Sequence, residues 1–214
     1  MKVFFAGGAS QGRLCYNILR KEGHEVPAVY DATEGLTVPW GAAVFHDETA
    51  IPKHARACEG FLVCIGDVHG HIRARYSNQL QALGLKPVSA IHPTAYFGDN
   101  VRLGAGLQAM ARSVVTDDAV IGDYAILNTN CSVDHECRLG IGVHIMGGAV
   151  LAGLVEIGDF STVGSNATIL PRLSIGSNCI VGAGAVVTRS VHDNSVVAGV
   201  PASVIRHLPP LEKI

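Results

Sequence analysis

An aliphatic or small apolar residue returns at every sixth position of this chain without a break from Leu103 to Val187. The series runs through Ala109, Val115, Ile121, Leu127, Val133, Leu139, Ile145, Leu151, Ile157, Val163, Ile169, Ile175 and Val181, often with glycine next, as at Gly104, Gly122, Gly140, Gly158 and Gly182. Four residues after an aliphatic comes a small or apolar side chain, such as Ser113, Ala119, Ala125, Cys131, Cys137 or Ala149. A helix repeats at about 3.6 residues and a strand at about 2, so neither alone makes this pattern. A hexapeptide period is the signature of a β-helix, in which each unit is a short strand and a turn, and stacked units share one core. The two inward positions of a unit lie two residues apart, as a strand requires. The register holds from about Phe97 to Val191, which excludes a chance β-rich sequence.

Composition narrows the function classes. A net charge of −2 and a pI near 6.5 give no footprint for nucleic acid and no polybasic membrane anchor. The start, MKVFFAGGAS, breaks into glycine too early for a secretory segment, and no apolar run is long enough to span a bilayer. Cys15, Cys58, Cys64, Cys131, Cys137 and Cys179 show no metal-finger or CxxC spacing, and three of them fall on small inward repeat positions. They read as packing residues in a reducing cytoplasm, with no metal expected.

Residues 1–88 follow a different grammar, and the expected division is 1–88 and 89–214. Val3–Ala6 reads as a strand ending in Gly7-Gly8-Ala9-Ser10-Gln11-Gly12, and a helix follows through Leu14, Cys15, Ile18 and Leu19 to Gly23. A second strand, Val26 to Tyr30, ends in Asp31. A third, Phe61 to Ile65, ends in Gly66-Asp67 and leads into a basic helix with Arg73, Arg75, Tyr76 and Leu80. This is the plan of a small α/β, Rossmann-like domain, whose ligands sit at the carboxyl ends of its strands. The GxGxxG spacing of dinucleotide binders is absent, although a glycine turn at a helix N-terminus still suits a phosphate. Ile91-His92-Pro93-Thr94-Ala95 reads as the hinge where the repeat begins.

Within the repeat, function belongs to corners and outward positions. Asp134-His135-Glu136 falls at a corner, where a carboxylate can hold a histidine in one tautomer and raise its basicity, as a general base needs. His144, between inward Val143 and Ile145, must point outward. The two histidines are nine residues apart, about half a coil, so they lie on different faces. If both serve one pocket, adjacent subunits supply them, which predicts a closed oligomer, a homotrimer. His69 and His71 lack a recognisable third metal ligand and read as polar loop or helix-start residues, and His135 and His144 leave a third ligand unassigned, which disfavours a zinc hydratase.

The combination of a small Rossmann-like domain, the Ile91-His92-Pro93 junction, the hexapeptide repeat and the closing Gly199-Val200-Pro201-Ala202 resembles a bacterial family: the N-acetyltransferases of nucleotide-linked amino sugars, grouped with the sialic-acid O-acetyltransferases. The discriminating matches are Asn128-Thr129, Asp134-His135-Glu136-Cys137, His144 and Ile65-Gly66-Asp67. The resemblance implies a left-handed parallel β-helix and a cytoplasmic, acetyl-CoA-dependent transferase serving surface-glycan or O-antigen synthesis. It implies His135 as general base, Glu136 orienting it, and Asn128 as a polar group of the same site. His144 and Gly153 would hold the acetyl end of acetyl-CoA, with Ser165, Gly182 and Ala183 along the pantetheine path. Ser10, Gln11, Gly12, Asp31 and Gly66 would hold the nucleotide and its phosphates. The implied acceptor is a 4-amino-4,6-dideoxyhexose on a nucleotide; the alternative is a sugar hydroxyl, as in sialic-acid O-acetylation.

Overall fold

The computed structural model describes residues 1–211. Its first part is a five-stranded parallel sheet in the order β3-β2-β1-β4-β5, with β1 Val3–Ala6, β2 Ala28–Tyr30, β3 Ala43–Phe45, β4 Gly60–Val63 and β5 Lys86–Pro87. Alternate residues of β1 face opposite ways, and both faces are covered. Val3 and Phe5 pack under helix α1 (Ser10–Leu19), on Cys15, Ile18 and Leu19. Phe4 and Ala6 pack under α2 (Ile51–Ala55) and α3 (Gly70–Ala82), on Ile51, Tyr76 and Leu80. Strand order reverses between β1 and β4, and the crevice beyond their carboxyl ends is where such a sheet binds ligands. Three elements escape the sequence reading: edge strand β3, the five-residue α2, and the two-residue β5. Each is too short to show a period.

The second part is a left-handed parallel β-helix of two-residue strands. Each pairs with the strand eighteen residues on, as Val114 with Ser132 and Ser132 with Val150, so three hexapeptides make one coil. Three faces result. The first carries Gln108–Ala109, Ile126–Leu127, His144–Ile145, Thr162–Val163 and Ile180–Val181. The second runs from Tyr96–Phe97 to Val186–Val187, and the third from Arg102–Leu103 to Ser174–Ile175. Apart from Leu103, every sixth-position residue of the sequence series is buried in this core. Removing such a side chain, Leu127 for example, costs about 2–5 kcal/mol. The expected hinge is instead the first rung: Ala90–Ile91 pairs with Gln108–Ala109 one coil on. An antiparallel hairpin, Ser195–Gly199 with Ala202–His207, closes the far end of the first face.

The corners follow a second six-residue rule that the sequence does not advertise. Every sixth residue from Asn100 to Gly184 has positive φ, among them Asp118, Tyr124, Asn130, Glu136, Gly142, Leu154 and Phe160. The glycines that follow the aliphatics sit elsewhere, two residues before these positions. Their role is clearance: a Cβ at Gly104 would strike the backbone of Gly122 and Asp123 in the next coil. That closeness lets the Asp123 carboxylate accept the Ala105 N–H at 2.8 Å.

The first part covers the first face of the prism. Gln108, His144 and Thr162 point outward from it, yet each is at most 3% exposed. Arg73 of α3 locks the junction. Its guanidinium is fully buried and donates to three carbonyls, Tyr124 (3.0 Å), Gly142 and Ile65 (2.9 Å). Burial pushes its pKa down to about 9, which leaves it charged at neutral pH. Among the described residues no helix is long and apolar enough to cross a membrane.

Candidate active site

A cleft of about 730 Å³ opens at the strand-order reversal, between the sheet and the first face of the prism. Its floor comes from the turn after β1: Gly7, Ser10 and Gln11. Gly7 has φ +101, and a Cβ there would collide with the Cys64 carbonyl, so this turn requires glycine. A Cβ at Gly12 would collide with the Gly7 carbonyl, so Gly12 lets α1 start tight against the turn. No side chain caps α1, and the first N–H groups of the helix stay available at the cleft. Asp31 and Thr33 come from the end of β2; Ile65, Gly66 and Asp67 from the end of β4; Asn128 and His144 from the prism.

Asp31 is tied into the loops. Its carboxylate accepts the Gly8 N–H at 2.8 Å and the Thr33 N–H at 2.9 Å. It therefore braces the glycine turn against the end of β2, and Gly8 has no N–H left for an anion. Tyr30 and Tyr76 close the far wall. The Tyr76 hydroxyl donates to Glu48 at 2.7 Å, and burial raises its pKa further beyond the usual tyrosine value.

His144 has its tautomer fixed by a backbone carbonyl. Its Nδ1 lies 3.1 Å from the Asp67 oxygen, which can only accept, so Nδ1 carries the proton and Nε2 a lone pair. Asp67 holds φ 55 to make this contact. Burial first, then the nearby charge of Arg73, lower the His144 pKa to about 4. Asn128 lies alongside with Nδ2 at 3.5 Å from Nε2, its amide oriented because Oδ1 accepts the Thr129 N–H at 2.7 Å.

His135 lies elsewhere. Its Nδ1 is 3.1 Å from the Glu136 carboxylate, so Nδ1 carries the proton and Nε2 is free to accept one. The ring rests over Gly153 of the next coil, where any Cβ would overlap the imidazole. Gly153 donates its N–H to no acceptor among the described residues. The side chains of His135 and Glu136 are about half exposed, and neither lines the cleft.

The candidate residues thus fall into two columns. The corner between first and second faces carries Asn128 and, two and three coils on, Ser165 and then Gly182 and Ala183; a Cβ at Gly164, beside Ser165, would meet the Ala183 nitrogen. The corner between second and third faces carries Asp134, His135, Glu136 and Gly153. His144 stands on the first face. Within one chain Asn128 joins His144 in the cleft and is separated from His135. Sequence reasoning passed over Gln108 and the buried role of Arg73, because nothing in a single sequence marks which outward face is covered. Among the described residues no three histidine, cysteine, aspartate or glutamate side chains gather as a metal cage, and His69 and His71 find no third ligand.

Comparisons with known proteins agree with the fold. A family model described as bacterial transferase hexapeptide (six repeats) matches residues 154–189. The fold is similar to PerB from Caulobacter crescentus, solved in complex with CoA and GDP-perosamine, at 35% identity and TM-score 0.88, covering 95% of this chain and 97% of that one. A perosamine N-acetyltransferase of the same organism is also known with one histidine replaced by asparagine, at 36% identity. The acetyltransferase domain of PglB from Neisseria gonorrhoeae, in complex with acetyl coenzyme A, matches at 28% identity and TM-score 0.83, covering 95% and 98%. WeeI from Acinetobacter baumannii, at 23% identity and TM-score 0.84 over 96% and 100% of the two chains, shares the fold.

Proposed function

The chain belongs to the hexapeptide-repeat N-acetyltransferases of nucleotide-linked amino sugars, and on that premise we propose how its residues divide the reaction. The acceptor, a 4-amino-4,6-dideoxyhexose on a nucleoside diphosphate, occupies the cleft. Its diphosphate meets the N–H groups of Ser10, Gln11 and Gly12 at the start of α1 and the backbone at Gly66, where the positive end of the helix favours an anion. Asp31 acts by holding the glycine turn in shape.

The neutral amine attacks the thioester carbonyl carbon of acetyl-CoA, with no acyl-enzyme. As the N–C bond forms, His135 Nε2 takes the amine proton, and Glu136 stabilises the imidazolium through Nδ1–H. The carbonyl oxygen gains negative charge facing the Gly153 N–H. Collapse breaks the C–S bond, and the departing thiolate receives the proton held by His135. His144 presents only a lone pair, so it accepts an N–H from the pantetheine arm and does not donate to the thioester oxygen. Ser165, Gly182 and Ala183 lie along the remainder of that arm.

The observation that carries this reading is the His135–Glu136 pair seated over Gly153, a base and an unused N–H donor at one spot. Its separation from the cleft supports a homotrimer, in which the His135 corner of one copy meets the His144 cleft of the next. The outward side of the second face is apolar enough for such contact, with Tyr96 and Val150 exposed. The six unpaired cysteines suit a reducing cytoplasm, and surface-glycan synthesis is the fitting context.

The test is release of free CoA from acetyl-CoA with GDP-, UDP- and dTDP-linked 4-amino-4,6-dideoxyhexoses, with sialic acid as control. Turnover of one nucleotide sugar is expected, and His135→Ala should lower kcat by about a hundred- to ten-thousandfold with little change in acetyl-CoA binding. Release only with sialic acid, or a fully active His135→Ala variant, would overturn the proposal.

A further inference from the structure

Gln108 lies on the first face of the prism, one coil from its start, and is 1% exposed beneath α1. It does not itself line the cleft, yet every polar atom of its side chain is engaged. Nε2 donates to the Val63 carbonyl at 2.9 Å, at the carboxyl end of β4. Oε1 receives the Gln11 amide at 2.8 Å and the Cys15 thiol at 3.2 Å. A backbone carbonyl can only accept, so the orientation of the Gln108 amide is forced. Gln108 Oε1 is then an acceptor, and Gln11 must turn its NH2 toward it. The other end of the Gln11 amide, Oε1, has no protein donor among the described residues, and Gln11 lines the cleft.

We propose that Gln108 is a positioning residue that makes Gln11 Oε1 a fixed hydrogen-bond acceptor in the acceptor-substrate cleft. The inference rests on the cleft being the nucleotide-sugar site. It gives the glycine turn two chemistries side by side. The N–H groups at the start of α1 take the diphosphate, while Gln11 Oε1 repels phosphate oxygens and receives an O–H or N–H of the ribose or the sugar. A free glutamine could present either end of its amide; this one is held to a single end by a residue from the other half of the chain. The ligand is thereby set in one register along the turn.

The test is a double-mutant cycle of Gln11→Ala and Gln108→Met, read by steady-state kinetics with the nucleotide-linked amino sugar that the wild-type chain acetylates. Loss of the oriented acceptor should raise KM for the nucleotide sugar about tenfold in Gln108→Met, the size of one hydrogen bond to ligand, with kcat and the acetyl-CoA KM within about twofold. In the Gln11→Ala background, Gln108→Met should add less than about twofold, because its effect passes through Gln11. Effects that multiply independently, or a KM for acetyl-CoA that rises equally, would show a merely structural role and overturn the inference. Should Gln108→Met fail to fold, Gln11→Leu carries the test alone, and an unchanged nucleotide-sugar KM in that variant is equally fatal. Failure of the wild-type chain to acetylate any nucleotide-linked amino sugar is a separate outcome, which removes the reading of the cleft and this inference with it.

Discussion

Acidification should destabilise this protein through one buried histidine. His144 donates Nδ1–H to Asp67 and keeps Nε2 unprotonated, and burial lowers its pKa to about 4 from the usual histidine value of about 6.5. The unfolded chain protonates His144 near pH 6.5, while the folded chain resists until about pH 4. Between those values the unfolded state binds more protons, so stability is full above pH 6.5 and falls as pH drops toward 4. Integrating that difference gives a loss of about 2 kcal/mol by pH 5 and about 3 kcal/mol by pH 4, relative to pH 7. Other groups titrate too, so the comparison is with His144→Gln, which keeps a polar side chain and has no proton to gain. Urea unfolding of both proteins from pH 7 to pH 4.5, at one fixed protein concentration, isolates the term. The wild-type curve should fall more steeply, with a gap between the two slopes of roughly 2 kcal/mol accumulated by pH 5. Parallel curves would mean that His144 charges as readily in the folded state as in the unfolded one, and burial would then not be what depresses its pKa.

Two substitutions separate catalysis from stability. Gly153→Ala introduces a Cβ where the His135 ring lies; because that ring is half exposed it can swing away, so stability should shift by less than about 1 kcal/mol. Turnover should fall about tenfold to a hundredfold as the base leaves Glu136, and unaltered kcat would separate His135 from the Gly153 position. Glu136 holds φ 59, a conformation asparagine adopts more cheaply, so Glu136→Asn should keep or slightly raise the melting temperature while lowering kcat. A variant as active as wild type would deny Glu136 its orienting role.

Much of the fold was legible because a β-helix repeats its inward positions strictly. Ala125, Leu127, Cys131 and Val133 face the same core for the same reason in successive units, so one period read along the chain gives both fold and burial. The same logic made His144 an outward residue. What the sequence could not supply was what covers it. Burial of His144 and Gln108 depends on α1 and α3 lying on one face of three, a non-local fact without a local pattern. The edge strand Ala43–Phe45 shows no local pattern for the opposite reason: it is three residues long and, at the edge, pairs with Ala28–Tyr30 alone. Of the site, the His135–Glu136 pair was visible as adjacent residues at a corner. Asp31 was visible as an acid after a strand, but its engagement with Gly8 and Thr33 is a property of loop geometry.

The two columns of candidate residues impose a limit on any mechanism confined to one chain. Asn128 and His135 are seven residues apart on the two corners that bound the second face, joined by the turn at Asn130 and the strand Ser132–Val133, a reach of at most about 23 Å. Attack requires the amine, the thioester carbon and the base within about 3–3.5 Å of one another. Bending this stretch does not close that gap, because the second-face strand between them, Ser132–Val133, is clamped on both sides by Val114–Val115 and Val150–Leu151. The first corner also has a reason to be free. Docking of the sheet uses the opposite edge of the same face, where Arg73 binds Tyr124 and Gly142, and leaves the Asn128–Ser165–Gly182 edge open beside the cleft. On the proposed division of roles, one chain carries a half-site at each of two edges: the cleft with His144 at one, and the His135–Glu136 pair over Gly153 at the other. In the proposed homotrimer, rotational assembly would bring unlike edges together and complete every site at once, which an isolated prism cannot do.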